Sequence, residues 1–166
     1  MKVLVFSDSH NKREKMIDII KRFKAKNAAL NYIIHLGDLV RDAEYLRGIF
    51  PDIPVIYIYG NGDFSYNRSD FEKEFEIGGK KFFILHGHTR NINAYNFSLD
   101  SLKSIAEQRN CDIILYGHTH IPREDYHDGT YIICPGSVSF DRSGEGRSYC
   151  AIDITGDNIC AKIIRV

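Results

Sequence analysis

The chain carries no net charge: 22 lysines and arginines balance 22 aspartates and glutamates over 166 residues. That balance argues against a broadly basic nucleic-acid grip and against a polybasic membrane contact, though not against a small charged site. Tryptophan is absent. No apolar run approaches the length of a membrane span. The opening stretch MKVLVFSDSH turns polar too soon for a secretory leader. No C-x-x-C pair occurs among Cys111, Cys134, Cys150 and Cys160. Each sits in or beside an apolar stretch, so small buried hydrophobes in a reducing compartment are expected, with a thiolate metal site as the minor alternative. Internal repeats, low-complexity tracts and linkers are also missing. What remains is an ordinary globular mixture, 43% hydrophobic and 27% charged, long enough to bury a core. The expectation is one cytoplasmic domain over residues 1–166 with no membrane partner.

Residues 2–7, KVLVFS, form a short apolar run that reads as a buried strand. After Asn11, apolar Met16, Ile19, Ile20 and Phe23 recur at helical spacing, with lysines and Arg22 on the other face. Strands follow at 32–36 and 55–59, around a weakly helical segment 42–50 that Pro51 and Pro54 close. This alternation predicts a parallel sheet with crossover helices. Gly78-Gly79 between 72–77 and 80–85 signals a hairpin. A helix at 98–109 and a strand at 112–116 come next. Segments around Asp128-Gly129 and Gly156-Asp157 then read as further hairpins, so the late portion is expected to be mainly antiparallel. One α/β unit with two sheets accounts for the whole.

The strand ends carry a recurrent chemistry. Asp8-Ser9-His10, Gly37-Asp38, Gly60-Asn61-Gly62-Asp63, His86-Gly87-His88 and Gly117-His118-Thr119-His120 each follow an apolar run. In open α/β folds, ligands bind beyond the carboxyl ends of the strands. Carboxylate, amide and imidazole donors together suit Mn²⁺, Fe²⁺, Zn²⁺, Co²⁺ or Ni²⁺. Six or seven such groups exceed one four-coordinate ion and fit two ions sharing a carboxylate, the arrangement used for displacement at phosphorus. The neighbouring glycines at 37, 60, 87 and 117 permit tight turns and close backbone approach. Each residue also has a plainer reading. Asp8 and His10 could cap the first helix, Asp38 and Asn61 could be turn residues, and His118 and His120 could meet solvent. The ordered recurrence of all five clusters is what favours a shared site.

These motifs, D-x-H, G-D, G-N-x-D, H and G-H-x-H, resemble those of the calcineurin-like metallophosphoesterases, most of all the small bacterial and archaeal phosphodiesterases. The resemblance runs from Asp8 to Pro135-Gly136-Ser137. It implies a four-layer αββα sandwich of two mixed β-sheets flanked by helices. It implies that Asp8, His10 and His120 bind one divalent metal, that Asn61, His86 and His118 bind a second, and that Asp38 bridges them. Mn²⁺ is favoured, with Ni²⁺, Fe²⁺, Zn²⁺ or Co²⁺ as substitutes. By the same resemblance Asp38, Asn61 and His86 are catalytic, and a metal-bridging hydroxide attacks a small phosphodiester or nucleotide-like substrate in line. Small relatives form dimers, so a homodimer through the apolar late strands is an expectation by analogy.

Position 62 departs from the pattern. The family places His or Cys there, and the His is held to protonate the leaving group, whereas Gly62 has no side chain. Aryl or activated diesters should therefore turn over better than alkyl monoesters. Asp63 is expected to orient neighbours, and His88 is a candidate for a supporting or substrate-binding role. His35, inside an apolar run, reads as a satisfied core histidine, and His127 as a surface residue. Arg90 could reach a phosphate but reads as solvated. Ser137 reads as part of a turn, Arg142 as a weak phosphate candidate, and Phe64 and Tyr66 as loop aromatics able to stack on a base or aryl group. Two other functions compete. A protein-binding scaffold of the retromer-subunit type would have a weak or inactive metal site, yet all seven ligand positions here hold metal-competent residues. A nuclease would need a positive track, and the basic residues of the first helix read better as a solvated face.

Overall fold

The computed structural model describes residues 1–26, 29–65, 67–92 and 98–166. Ten strands are described: β1 Lys2–Phe6, β2 Tyr32–His35, β3 Val55–Tyr57, β4 Glu72–Ile77, β5 Lys80–Leu85, β6 Ile113–Tyr116, β7 Arg123–His127, β8 Thr130–Cys134, β9 Ser148–Thr155 and β10 Asn158–Arg165. Three α-helices accompany them: α1 Arg13–Lys26, α2 Val40–Ile49 and α3 Asp100–Arg109. The strands form two five-stranded sheets, in the orders β10-β9-β1-β2-β3 and β4-β5-β6-β8-β7.

Strand alternation builds the layers. In β1, Val3 and Val5 face the space between the sheets with Ile34, Ile84, Leu115 and Ile152, while Leu4 and Phe6 face α1 and α2 with Met16, Ile20 and Leu46. In β5, Phe82 and Ile84 point inward, and Phe83 and Leu85 meet Leu102 and Ile105 of α3. Successive side chains on a strand point to opposite faces, so a strand buried on both faces reads as one unbroken apolar run. The result is four layers, helix, sheet, sheet and helix, as the motifs implied. Within α1 the buried stripe Met16, Ile17, Ile19 and Ile20 carries the expected spacing, with Glu14 in the first turn and Lys24 and Lys26 in the last complementing the helix dipole. The β4–β5 turn needs positive φ at both central residues, which Gly78 and Gly79 supply at +60° and +75°.

The late strands are mainly antiparallel, as expected, with a parallel exception at the centre of the second sheet. They are antiparallel within β4–β5, β7–β8 and β9–β10, but β5, β6 and β8 run parallel. The cause is burial on both faces: β6 is covered by the other sheet on one side and by α3 on the other. Moreover, β9 returns to the first sheet, antiparallel to β1. Cys111, Cys134 and Cys150 are buried as expected, whereas Cys160 is exposed because β10 is an edge strand. Burial pushes the thiols of Cys134 and Cys150 up to about 12, leaving both protonated. Among the described residues, no helix is long and apolar enough to cross a membrane.

Candidate metal centre

Loops following β1, β2, β3, β5 and β6 bring the five clusters together. Single ligand atoms of Asp8, His10, Asp38 and His120 lie within 4.8 Å of one another. His86 Nε2 lies 3.1 Å from Asn61 Oδ1 and 3.4 Å from Asp38 Oδ1. The ring of His118 sits 5.2 Å from that of His86, and its backbone N–H donates to Asp8 Oδ2. Asp38 thus divides its oxygens, with Oδ1 facing His86 and Oδ2 standing 3.8 Å from His10 Nε2.

The backbone is strained here. Asp8, His10, Asp38, His118 and His120 all have positive φ, between 41° and 69°. A left-handed conformation costs a non-glycine residue about 1–3 kcal/mol and clusters at functional sites. It takes His118 and His120 out of regular strand geometry, so the two do not point the same way off a strand. His120 is buried, and Thr119 between the two histidines hydrogen-bonds around the turn to Ile121.

The histidines reveal what the cluster wants. His120 Nδ1 lies 3.0 Å from the carbonyl oxygen of Phe140, and His86 Nδ1 2.6 Å from that of Leu36. A carbonyl only accepts, so each Nδ1–H donates and each ring turns its Nε2 inward. Both Nε2 atoms approach Asp8: that of His120 is 3.2 Å from Asp8 Oδ1, and that of His86 is 4.0 Å from the same atom. Asp8 Oδ1 is buried and has no hydrogen-bond partner. Burial pushes the Asp8 carboxyl up, but His120, His86 and Ser7 outweigh it and hold the group at about 2. Burial, then the neighbouring His86, lowers His118 and His88 below the ordinary imidazole value. Imidazole nitrogens, carboxylate oxygens and an amide oxygen drawn together at one spot form a donor set that a divalent cation satisfies. The residues present therefore fit a divalent metal.

Two glycines allow this approach. A Cβ on Gly60 would lie 2.2 Å from Asp38 Oδ1, and one on Gly117 would lie 2.1 Å from Ser7 Oγ. Asp63 does orient its neighbours: Oδ1 accepts from the N–H groups of Leu39 and Val40, and Oδ2 from that of Gly60, tying the third strand's loop to the start of α2. His35 is a buried, satisfied core histidine. Its Nδ1 accepts from Gly37 N–H, so Nε2–H donates to Ser9 Oγ, which donates to Asp42. Asp42, nearly fully buried in α2, also accepts from Asn11 N–H. Ser137 is more than a turn residue: its buried hydroxyl and that of Ser139 both donate to the Asp8 carbonyl. Ser9, Asp42 and Ser139 were not singled out from sequence, because nothing in their spacing distinguishes a buried hydroxyl or carboxylate from an ordinary loop or helix residue.

Other candidates fall elsewhere. Arg90 is partly exposed, as a solvated residue would be, but it is also paired, its guanidinium forking onto Glu72 with contacts of 2.7 and 2.9 Å. His88 packs edge-on against Phe71 and lies 5.3 Å from the ring of His86. His127 is half-buried, 3.4 Å from the Asp128 carboxylate. Arg142 and Phe64 are exposed on loops, and Tyr66 lies outside the described residues.

Residues 1–157 match the calcineurin-like phosphoesterase superfamily domain, and the chain belongs to that superfamily. A probable metallophosphoesterase of Bacillus subtilis, YsnB, is 31% identical over 160 residues, covering 95% of this chain and 86% of the relative. The phosphodiesterase MJ0936 of Methanocaldococcus jannaschii is 27% identical over 154 residues, covering 82% and 83% of the two chains. A predicted phosphoesterase from Streptococcus pneumoniae superposes with a TM-score of 0.79 at 25% identity, covering 99% of this chain and 88% of that one. Vps29 of Entamoeba histolytica complexed with Zn²⁺ shares the fold, with a TM-score of 0.70 at 19% identity over 100% of this chain and 98% of that one.

Proposed function

We infer that this enzyme hydrolyses small phosphodiesters using two divalent cations, with Mn²⁺ the first choice and Ni²⁺, Fe²⁺, Zn²⁺ or Co²⁺ as substitutes. The observation that carries this reading is the buried Asp8 Oδ1, which has no hydrogen-bond partner and stands 3.2 Å from His120 Nε2 and 4.0 Å from His86 Nε2. Asp8, His10 and His120 would hold one cation; Asn61, His86 and His118 would hold the other; Asp38 would serve both. When bound, the cations supply charge for the phosphate oxygens and make water acidic enough to act as a nucleophile near neutral pH. The chain's own residues do the positioning. The Leu36 and Phe140 carbonyls fix the His86 and His120 rings, Gly62 N–H holds Asp38, and Asp63 anchors the loop that carries Asn61. With no side chain at position 62 to donate a proton, the reading favours aryl and activated leaving groups. The diester preference is supported by the name of the M. jannaschii relative.

The test is a metal-by-substrate matrix on metal-stripped protein, with aryl phosphodiesters, phosphomonoesters and cyclic nucleotides. Activity should return with metal and vanish in the Asp38→Ala variant while circular dichroism stays native. Full activity without metal would overturn the reading. No hydrolysis with any metal would shift it to the scaffold function.

A further inference from the structure

Among the described residues, two phenylalanines are strongly exposed, Phe64 at 79% and Phe140 at 60%. Phe64 stands on the loop that carries Asn61, and Phe140 stands on the β8–β9 loop, whose backbone contacts His120. Of the other exposed aromatics, Tyr45 lies under the Arg13 guanidinium, and Tyr126 packs edge-on to Tyr131. Phe140 differs from an ordinary exposed loop ring in how firmly its backbone is held. Its N–H donates to the buried Ser137 hydroxyl, and its carbonyl accepts from His120 Nδ1. The residues that follow are tied down as well: Asp141 accepts from Ser143 and Gly146, and Arg147 donates to the Ser139 carbonyl. A ring presented from a fixed backbone loses little conformational freedom when something stacks on it.

What the ring faces is a cavity of about 430 Å³ lined by His10, Lys12, His120, Ser139 and Phe140. Two of these five are candidate metal ligands, one is a cation and one is aromatic. The cavity is therefore continuous with the site where phosphorus would sit, and its wall offers charge at one place and an apolar plane at another. Phosphate oxygens suit the metal side and Lys12, while a planar ring suits Phe140, whose own ring lies 6.2 Å from that of His120.

We propose that Phe140 is a specificity-determining residue, a stacking platform that selects phosphodiesters bearing a planar aromatic substituent, a nucleobase above all, with Lys12 placed for their negative charge. The proposal rests on the phosphodiesterase reading for its catalysis, but the binding it asserts does not need turnover.

Because the chain has no tryptophan, Phe140→Trp would install a single reporter. Its fluorescence should be quenched saturably by adenosine 5′-monophosphate and stay unchanged with glycerol phosphate. In the metal-loaded enzyme, Phe140→Ala should raise KM for thymidine 5′-(p-nitrophenyl) phosphate about tenfold, the scale of base–aromatic stacking, with kcat little changed. The KM for glycerophosphoethanolamine, which has no ring, should not move. Phe140→Tyr should restore the wild-type KM. Quenching without hydrolysis by any metal would uphold the platform and reject the phosphodiesterase reading. Hydrolysis with no quenching, or an equal KM change for both esters, would overturn the platform and leave the phosphodiesterase reading standing.

Discussion

Gly62 donates its backbone N–H to Asp38 Oδ1 at 2.7 Å, so the residue that lacks the family's expected side chain still fixes the carboxylate shared by both halves of the site. The glycine is not demanded by the backbone, because its φ is not positive. A Cβ there would lie 3.3 Å from Asp38 Oδ1, a tight contact that a few tenths of an ångström of movement relieves. Gly62→His is therefore expected to fold and to place an imidazole beside the reaction. General acid help amounts to roughly 10²–10⁴-fold where it operates, and it helps poor leaving groups most. The kcat ratio of alkyl to p-nitrophenyl esters should rise by at least about tenfold. An equal gain for every leaving group would reject the missing-acid explanation.

Gly60 offers the contrasting case two residues earlier. A methyl group there would sit 2.2 Å from Asp38 Oδ1 and 2.3 Å from the Asp38 backbone nitrogen. Backbone cannot swing aside as a flexible side chain can, so Gly60→Ala must displace Asp38 itself. Misplacing a ligand's support costs about 10–100-fold in metal affinity. Isothermal titration with Mn²⁺ should show a loss in that range for Gly60→Ala and a much smaller one for Gly62→Ala. Equal affinities in the two variants would contradict this geometry.

Much of this was legible in the sequence for a physical reason. Strands covered on both faces must be apolar throughout, so the runs around Ile34 and Leu115 announce themselves, and the polar residues that end them stand out. Direction and pairing were less legible. An apolar run such as Ile113–Tyr116 reads the same whether it pairs parallel or antiparallel, and only the covering of both faces decides. The supports of the site were hidden too. Asp42 looks like any polar residue early in a helix until folding buries it against Ser9. Arg90 looked solvated because its partner Glu72 is 18 residues away in sequence.

That Arg90–Glu72 fork carries its own consequence. With both of the ion pair's contacts directed at Glu72, the guanidinium is committed away from substrate, and the pairing pushes its pKa further up. The pair is partly exposed, so it contributes at most about 1 kcal/mol to stability. Arg90→Ala should leave KM for bis(p-nitrophenyl) phosphate within about twofold, since an exposed pair of this kind is worth little and touches no substrate. A tenfold rise would place the arginine at the phosphate after all.

His35 sets a pH dependence that can be separated from the metal site. Burial drives its pKa from 6.5 down to about 4, against the pull of the Asp8, Asp42 and Asp63 carboxylates. Below its unfolded value the denatured chain takes up a proton that the native chain refuses. Stability is therefore full above pH 6.5 and falls as the pH drops towards 4. Integrating that difference gives a loss of roughly 2 kcal/mol between pH 7.5 and pH 5 from this residue. His88 and His118 are lowered as well and add slope of the same sign, whereas Asp8, held at about 2, acts only at lower pH. Urea unfolding of metal-stripped protein should show the wild type losing stability across that interval. In His35→Gln the loss should shrink by roughly 2 kcal/mol, whatever the variant's stability at pH 7.5. If the two proteins lose the same amount, His35 is not the buried neutral base that its contacts with Gly37 and Ser9 describe.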